Sequence, residues 1–175
     1  RAGINIGEGA ALCLLEREGE GPARLLAVGE SSDAFHMTSP HPEGLGARLA
    51  MERALQGAGI GPADVDHINA HGTGTRQNDS AEGAAIAGLF GPGMTVVATK
   101  GYTGHQLGAA GATEVLFTVV AIAGGFVPMS VGAAPVDPEI AVRVTTAREV
   151  MRTRAAISNS FAFGGSNVSV LVGAP

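Results

Sequence analysis

The sequence predicts an α/β fold built on a mixed, mostly parallel sheet flanked by helices. Two observations predict it. Apolar runs of strand length alternate with Ala- and Gly-rich helical segments from residue 23 to 125, and the tail from 141 to 174 turns to strand-like runs that suit antiparallel edges. A third concerns the joints: Gly- and Thr-rich polar loops follow the strand-like runs, where parallel α/β sheets place their ligands.

The elements follow in order. "GEGAALCLLE" (7–16) and "ARLLAVGESSD" (23–33) read as neighbouring buried strands separated by the turn "REGEGP", because both faces of each run are apolar. "SSDAFHMTSPHPEG" is a loop. "EGLGARLAMERALQGAGI" (43–60) spaces Leu45, Leu49 and Leu55 as an amphipathic surface helix does and stops at Gly57 and Gly59. "VDHINAHGTGT" (65–75) is a short strand running into a loop, and Asn78 or Asp79 is the expected cap of the next helix, with Glu82 in its first turn. "MTVVATK" (94–100) is a strand, "GYTG" a loop, and "HQLGAAGATEVLFTVVAIAGG" (105–125) a helix. Leu107 to Val127 is the most apolar stretch; Glu114 and Gly111 interrupt it, so it is expected to be a buried core helix and no membrane span. "AVRVTTA" (141–147) and "AAISNSFAFGGSNVSVLVGA" (155–174) complete the strands, the last two joined around "FAFGGSN".

Composition narrows the function. With 175 residues, 45% of them hydrophobic and 15% charged, the chain can bury a core. A net charge of −5 gives no basic field for nucleic acid. Cys13 is the single cysteine, which excludes an internal disulfide and fits a reducing cytosol. Flanked by "AAL" and "LLE", it is expected to be a small buried hydrophobe and a poor nucleophile. The chain opens on Arg1 and on a strand-like run with no preceding partner, so a fragment of a larger protein is expected.

Three polar loops carry the candidate chemistry: "HGTGT" (71–75), "KGYTGH" (100–105) and "NSFAFGGSN" (159–167). Two histidines, His71 and His105, and a lysine, Lys100, stand on successive strand-end loops. Gly101, Gly104, Gly108 and Gly111 do not form the G-x-G-x-x-G of a dinucleotide site, and no P-loop pattern occurs. His67 and His71, four apart on a strand, lie about 13 Å from each other at ~3.3 Å per residue, too far to share a metal. The loops supply donors and bases without an evident attacking group.

Taken in order, "HGTGT" with Asp79 and Glu82, "KGYTGHQLGAAG" and "NSFAFGGSN" resemble the elongating β-ketoacyl-[acyl-carrier-protein] synthases of the thiolase-like fold. "R-x-G-x-x-x-G-E-G-A-A" at the start and "SSDAFHMTSP" extend the resemblance over essentially the whole chain. It implies that residues 1–33 are closing strands of the preceding half-domain and 34–175 the C-terminal half-domain of a ketosynthase. The family's nucleophilic cysteine lies in the other half, so the isolated chain is expected to be inactive. The implied reaction is a decarboxylative Claisen condensation, with His71 and His105 as donors to the enolate oxygen, Lys100 holding the loop and Glu82 anchoring Lys100. Thr73 and Thr75 are implied contacts of the phosphopantetheine arm. Phe163, with Gly164 and Gly165, is implied to gate the acyl tunnel beside the loop around Thr38. The phosphopantetheine arrives on acyl carrier protein, so no resident cofactor and no metal are expected. The implied partners are acyl carrier protein, the missing half, and a second subunit in a homodimer or in a heterodimer with a ketosynthase-like protein, all in the cytoplasm. Three rivals stay open: a non-catalytic partner or chain-length-determining subunit, a thiolase-type enzyme of coenzyme A thioesters, and, by fold analogy, a nucleotide-binding module.

Overall fold

The computed structural model describes residues 3–175; Arg1 and Ala2, where the first family-like pattern begins, lie outside them. Eight strands and four α-helices follow one another: β1 (Arg24–Ser32), α1 (Leu45–Ala58), β2 (His67–Asn69), α2 (Arg76–Phe90), β3 (Thr95–Val97), α3 (Lys100–Thr103), α4 (Ala110–Gly124), β4 (Phe126–Val127), β5 (Arg143–Val144), β6 (Glu149–Val150), β7 (Ala155–Ala162) and β8 (Ser166–Gly173). Six strands form one sheet in the order β1-β8-β7-β2-β3-β5, and β4 with β6 makes a separate antiparallel pair. The run β7-β2-β3-β5 is parallel, and β1-β8-β7 is antiparallel. The fold class agrees with the expectation.

Alternation along the central strands sorts side chains into two layers. Ile157 joins Ile68, Val96 and Leu171 beneath Met51, Ala54 and Leu55 of α1 and Ala85 and Ile86 of α2. Ala156 and Val172 face the other way, onto Ile122 of α4. The sheet is therefore covered on both faces where β2, β7 and β8 run, which is what near-continuous apolar strands require.

Several elements differ from their expectation. Residues 7–16 form no strand: Leu12 and Leu14 are 95% and 86% exposed, and Cys13 is exposed rather than buried. The reason is the absence of a partner edge among the described residues. Only Ile6 makes a bridge, to His105, and Gly7 N–H donates to the His105 carbonyl. The second predicted strand exists as β1, but it pairs with β8 and leaves most of one face exposed. Strand "AVRVTTA" shrinks to Arg143–Val144, parallel to β3. The helix expected at 105–125 starts at Ala110, after the short α3 and a 3-10 turn at Leu107–Ala109. Together with that turn, the stretch Leu107–Gly124 is long and apolar enough to cross a membrane, and it is not the wholly buried helix expected: one face, with Ala110, Glu114, Thr118 and Ile122, lies inward and Val120 points out. Thr75, not Asn78 or Asp79, occupies the N-cap of α2, which places Glu82 in the second turn.

Candidate active site

The site forms where β2 and β3 end. β2 delivers His71 after Ala70, whose N–H continues the ladder to the Val97 carbonyl, and β3 delivers Lys100 to the start of α3. Gly104, at φ 69°, turns the chain after α3 and presents His105. Its Cα hydrogens are all that fits there, because a Cβ would come within 2.8 Å of the Gly7 nitrogen. The rings of His71 and His105 meet edge to face with centroids 5.3 Å apart, and Phe161 of β7 leans on His71 at 5.6 Å.

Lys100 is buried, with 8% exposure, and its ammonium is fully used. It donates to the His71 carbonyl at 2.5 Å and to Glu114 Oε1 at 2.6 Å, and its Nζ lies 3.3 Å from His71 Nδ1. The anchor of Lys100 is thus Glu114 of α4, itself 3% exposed, and not Glu82 as expected. Glu82 holds the other side of the loop. Its carboxylate accepts from the His71 and Gly72 N–H groups at 2.8 and 2.9 Å, and from Asn159 Nδ2 at 3.1 Å. Burial pushes the Glu82 carboxyl up against the pull of those donors, and burial likewise pushes Glu114 up, to about 7, although Lys100 opposes it.

An ammonium can only donate, so the contact from Lys100 makes His71 Nδ1 an acceptor. The Leu107 N–H does the same for His105 Nδ1 at 3.1 Å. Both neutral rings therefore carry their proton on Nε2. Burial first, and the Lys100 charge second, keep them neutral: the His71 pKa falls to about 2 and that of His105 is lowered. The site thus offers two imidazole N–H donors side by side that carry no charge at neutral pH.

The remaining predicted residues surround this pair. Thr73 and Thr75 join hydroxyl to hydroxyl at 2.8 Å in the loop before α2. Phe163 stands 80% exposed at the tip of the β7–β8 turn, with Gly164 and Gly165 at φ 87° and 81°. That turn is tied to the loop carrying Thr38: Gly164 N–H donates to Met37, Asp33 N–H to Gly165, and Asn167 Nδ2 to Asp33. Thr38 itself is exposed, its N–H donating to His36 Nδ1. Sequence reading missed Glu114 and the packing of Phe161. The signal for Glu114 was present, since a lone acid in a 15-residue apolar helix needs a buried cation. Among the described residues no three His, Cys, Asp or Glu side chains group as metal ligands.

His67 lies at the start of β2, fully buried, with Nδ1 3.1 Å from Thr153 Oγ1 and Nε2 without a partner. Burial lowers its pKa to about 4. The unfolded chain, titrating near 6.5, then binds the extra proton first as pH falls, so this group favours the fold above pH 6.5 and withdraws that support down to about 4. Between pH 7 and 4 the chain should lose on the order of 3 kcal/mol more than its His67→Phe variant. Urea melts at the two pH values test this, and equal losses would refute it. Glu114 acts in the opposite direction in both proteins, so the difference between them carries the result.

A mixed, mostly parallel sheet flanked by helices, with two histidines and a buried lysine at its strand ends, is the architecture shared with thiolase-like ketosynthases. Residues 23–134 match the family described as Beta-ketoacyl synthase, C-terminal domain, and the chain belongs to that family. It is 41% identical to 3-oxoacyl-[acyl-carrier-protein] synthase 2 of Mycobacterium tuberculosis H37Rv over 99% of its own length and 44% of that protein's. Among solved structures it resembles the ketosynthase ApeO in complex with its chain length factor ApeC from Xenorhabdus doucetiae, with TM-score 0.81 and 42% identity over 90% of this chain and 40% of the other. It also resembles AntDE:AntF, a type II PKS acyl-carrier protein in complex with its ketosynthase bound to the hexaketide, with TM-score 0.84 and 28% identity over 88% and 39% of the two chains. The chain spans less than half the length of these relatives.

Proposed function

We propose that the chain is the C-terminal half of a β-ketoacyl-[acyl-carrier-protein] synthase and binds the enolate oxygen of a decarboxylative Claisen condensation. The observation that carries this reading is the pair of neutral rings, each with Nδ1 engaged as an acceptor and Nε2–H left to donate. In the reaction, an acyl group passes from its carrier thioester to a cysteine thiol of the other half. Malonyl-carrier protein then releases carbon dioxide, and the electrons of the broken C–C bond become an enolate. Its carbon attacks the acyl thioester, and the cysteine thiolate leaves. Negative charge gathers on the enolate oxygen, and donors fixed in advance in a dry site stabilise it without reorganising. Cys13 is exposed and does not line the cavity that reaches His105, so it is not taken as that cysteine.

Lys100 and Glu82 act as positioning residues, from opposite sides of the His71 backbone. Thr73 and Thr75 bind the phosphopantetheine arm, which the carrier protein brings, and the Phe163 turn gates the entrance with the Thr38 loop, since the two are already hydrogen-bonded together. No resident cofactor or metal takes part. β1 belongs to this half through its pairing with β8, so of residues 1–33 only the segment before it completes the preceding half; the working molecule is a cytosolic dimer of ketosynthase-like subunits, and the ketosynthase assemblies among the similar structures support the choice of carrier protein and of such a partner.

The test uses the complete protein that carries this chain. His71→Ala and His105→Ala should each slow carbon dioxide release from malonyl-carrier protein by about 10²–10³-fold. A variant releasing it at the wild-type rate would sink the assignment. The pairing of ketosynthase and chain length factor in one similar structure favours a second reading, a partner subunit without its own cysteine. An acyl-thioester analogue that labels an upstream cysteine excludes that reading, and failure to label any supports it.

A further inference from the structure

β6 pairs with β4 along one edge and, among the described residues, has no strand on the other. From Arg148 to Ala155 the side chains alternate: Glu149, Met151, Thr153 and Ala155 turn inward, while Arg148, Val150, Arg152 and Arg154 are exposed. The Met151 N–H is spent on the Gly125 carbonyl, towards β4. The backbone groups of Val150, one residue away, therefore face the open edge. This edge lies at the end of the sheet opposite the candidate active site. Thr153 meets His67 at the start of β2 and Arg154 holds Asp66 just before it, whereas His71 stands where β2 ends.

Val150 is 96% exposed in the middle of this strip. A lone exposed valine is ordinary; what sets this one apart is an open backbone edge with a guanidinium two residues to either side. Arg148 lies over the Phe126 ring at 4.2 Å, and among the described residues neither it nor Arg152 has a carboxylate within ion-pair distance. Arg143 and Arg154, by contrast, are paired with Glu149 and Asp66. Charge distribution is the second observation. Residues 143–154 hold four of the chain's 11 basic residues and one of its 16 acids, although the whole chain carries a net charge of −5. The strip is a basic surface on an acidic molecule.

We propose that this edge docks an extended acidic segment of a partner protein, which adds a strand beside β6 with an aliphatic residue against Val150 and a carboxylate two residues to each side. Backbone hydrogen bonds at the open edge supply the pairing, and guanidinium–carboxylate bonds select the partner. A second copy of this chain does not fit, because pairing Val150 with its own counterpart, in either strand direction, sets arginine against arginine. A lipid surface does not fit either, since it leaves the backbone groups of the edge unpaired. The site stands apart from the condensation reading and does not depend on it.

The experiment titrates the complete protein that carries this chain into two dye-labelled peptides, Gly-Glu-Thr-Val-Thr-Glu-Gly and Gly-Lys-Thr-Val-Thr-Lys-Gly, and follows fluorescence anisotropy. Saturable binding of the acidic peptide is expected, at least tenfold tighter than that of the basic one. Val150→Pro removes an N–H from the open edge and none from the β4 ladder, so it should weaken the acidic peptide at least tenfold while the thermal midpoint holds. Arg148→Glu combined with Arg152→Glu should reverse the order of the two peptides. Absence of saturable binding, the result if the preceding half already covers the edge, would overturn the proposal. Unchanged affinity in a folded Val150→Pro variant would do the same, since it marks arginines that merely guard an open edge. An unreversed order in the double variant would also overturn it, whatever becomes of Val150→Pro.

Discussion

Replacing Glu114 by leucine should destabilise the fold by about 3–5 kcal/mol at pH 7, because it leaves the Lys100 ammonium buried without its counter-ion. Lys100 would keep only the His71 carbonyl as a strong acceptor, and a buried charge without a partner either loses its proton or opens the structure to water. Glu114→Gln, which retains an acceptor at 2.6 Å without the charge, should lose less. Urea midpoints at pH 7 decide the matter; a leucine variant as stable as the wild type would show that Lys100 is not held by this pair.

Gly29→Ala should cost about 3 kcal/mol, at the upper end of what overpacking one methyl group does. Gly29 is buried in β1 beneath α1, and a Cβ there would lie 2.0 Å from the Ala50 carbonyl oxygen and 2.4 Å from the Ala54 nitrogen. Both are backbone atoms, so no rotamer change relieves the clash. Either α1 lifts from β1 and β8, uncovering Met51 and Ala54, or β1 leaves the sheet edge. Gly57→Ala is the comparison: its Cβ would approach only the Ala27 methyl, at 3.3 Å, and alanine favours the helix, so its midpoint should move by less than about 1 kcal/mol. Equal midpoints for Gly29→Ala and the wild type would mean that β1 and α1 are not packed this closely.

Much of the site was legible because its parts are local. "HGTGT", "KGYTGH" and "FAFGGSN" each place a polar group next to the glycines that turn the chain, so strand, loop and following helix could be read from one window. The β7–β8 hairpin was legible for the same reason. Where the reading failed, the deciding partner lay far along the chain. Residues 7–16 are apolar on both faces, which is compatible with a strand, but a strand exists only where a neighbour offers backbone donors and acceptors. Among the described residues only the His105 region does so, and only near Ile6 and Gly7.

The carboxylates show the same division more sharply. Glu114 is the one acid of α4, which signals a buried cation, whereas α2 carries Asp79 beside Glu82, and local sequence does not say which of these carboxylates meets Lys100. The packing of α4 on β7 brings Glu114 to the ammonium and leaves Glu82 to Asn159 and the backbone of His71 and Gly72. The sequence by itself determined the fold class, the order of its central elements and the identity of the two histidines and the lysine, because periodicity and turn chemistry act over a few residues. Tertiary structure alone decided which acid balances the lysine and which nitrogen of each histidine donates, because burial and hydrogen bonding depend on groups that only folding brings together.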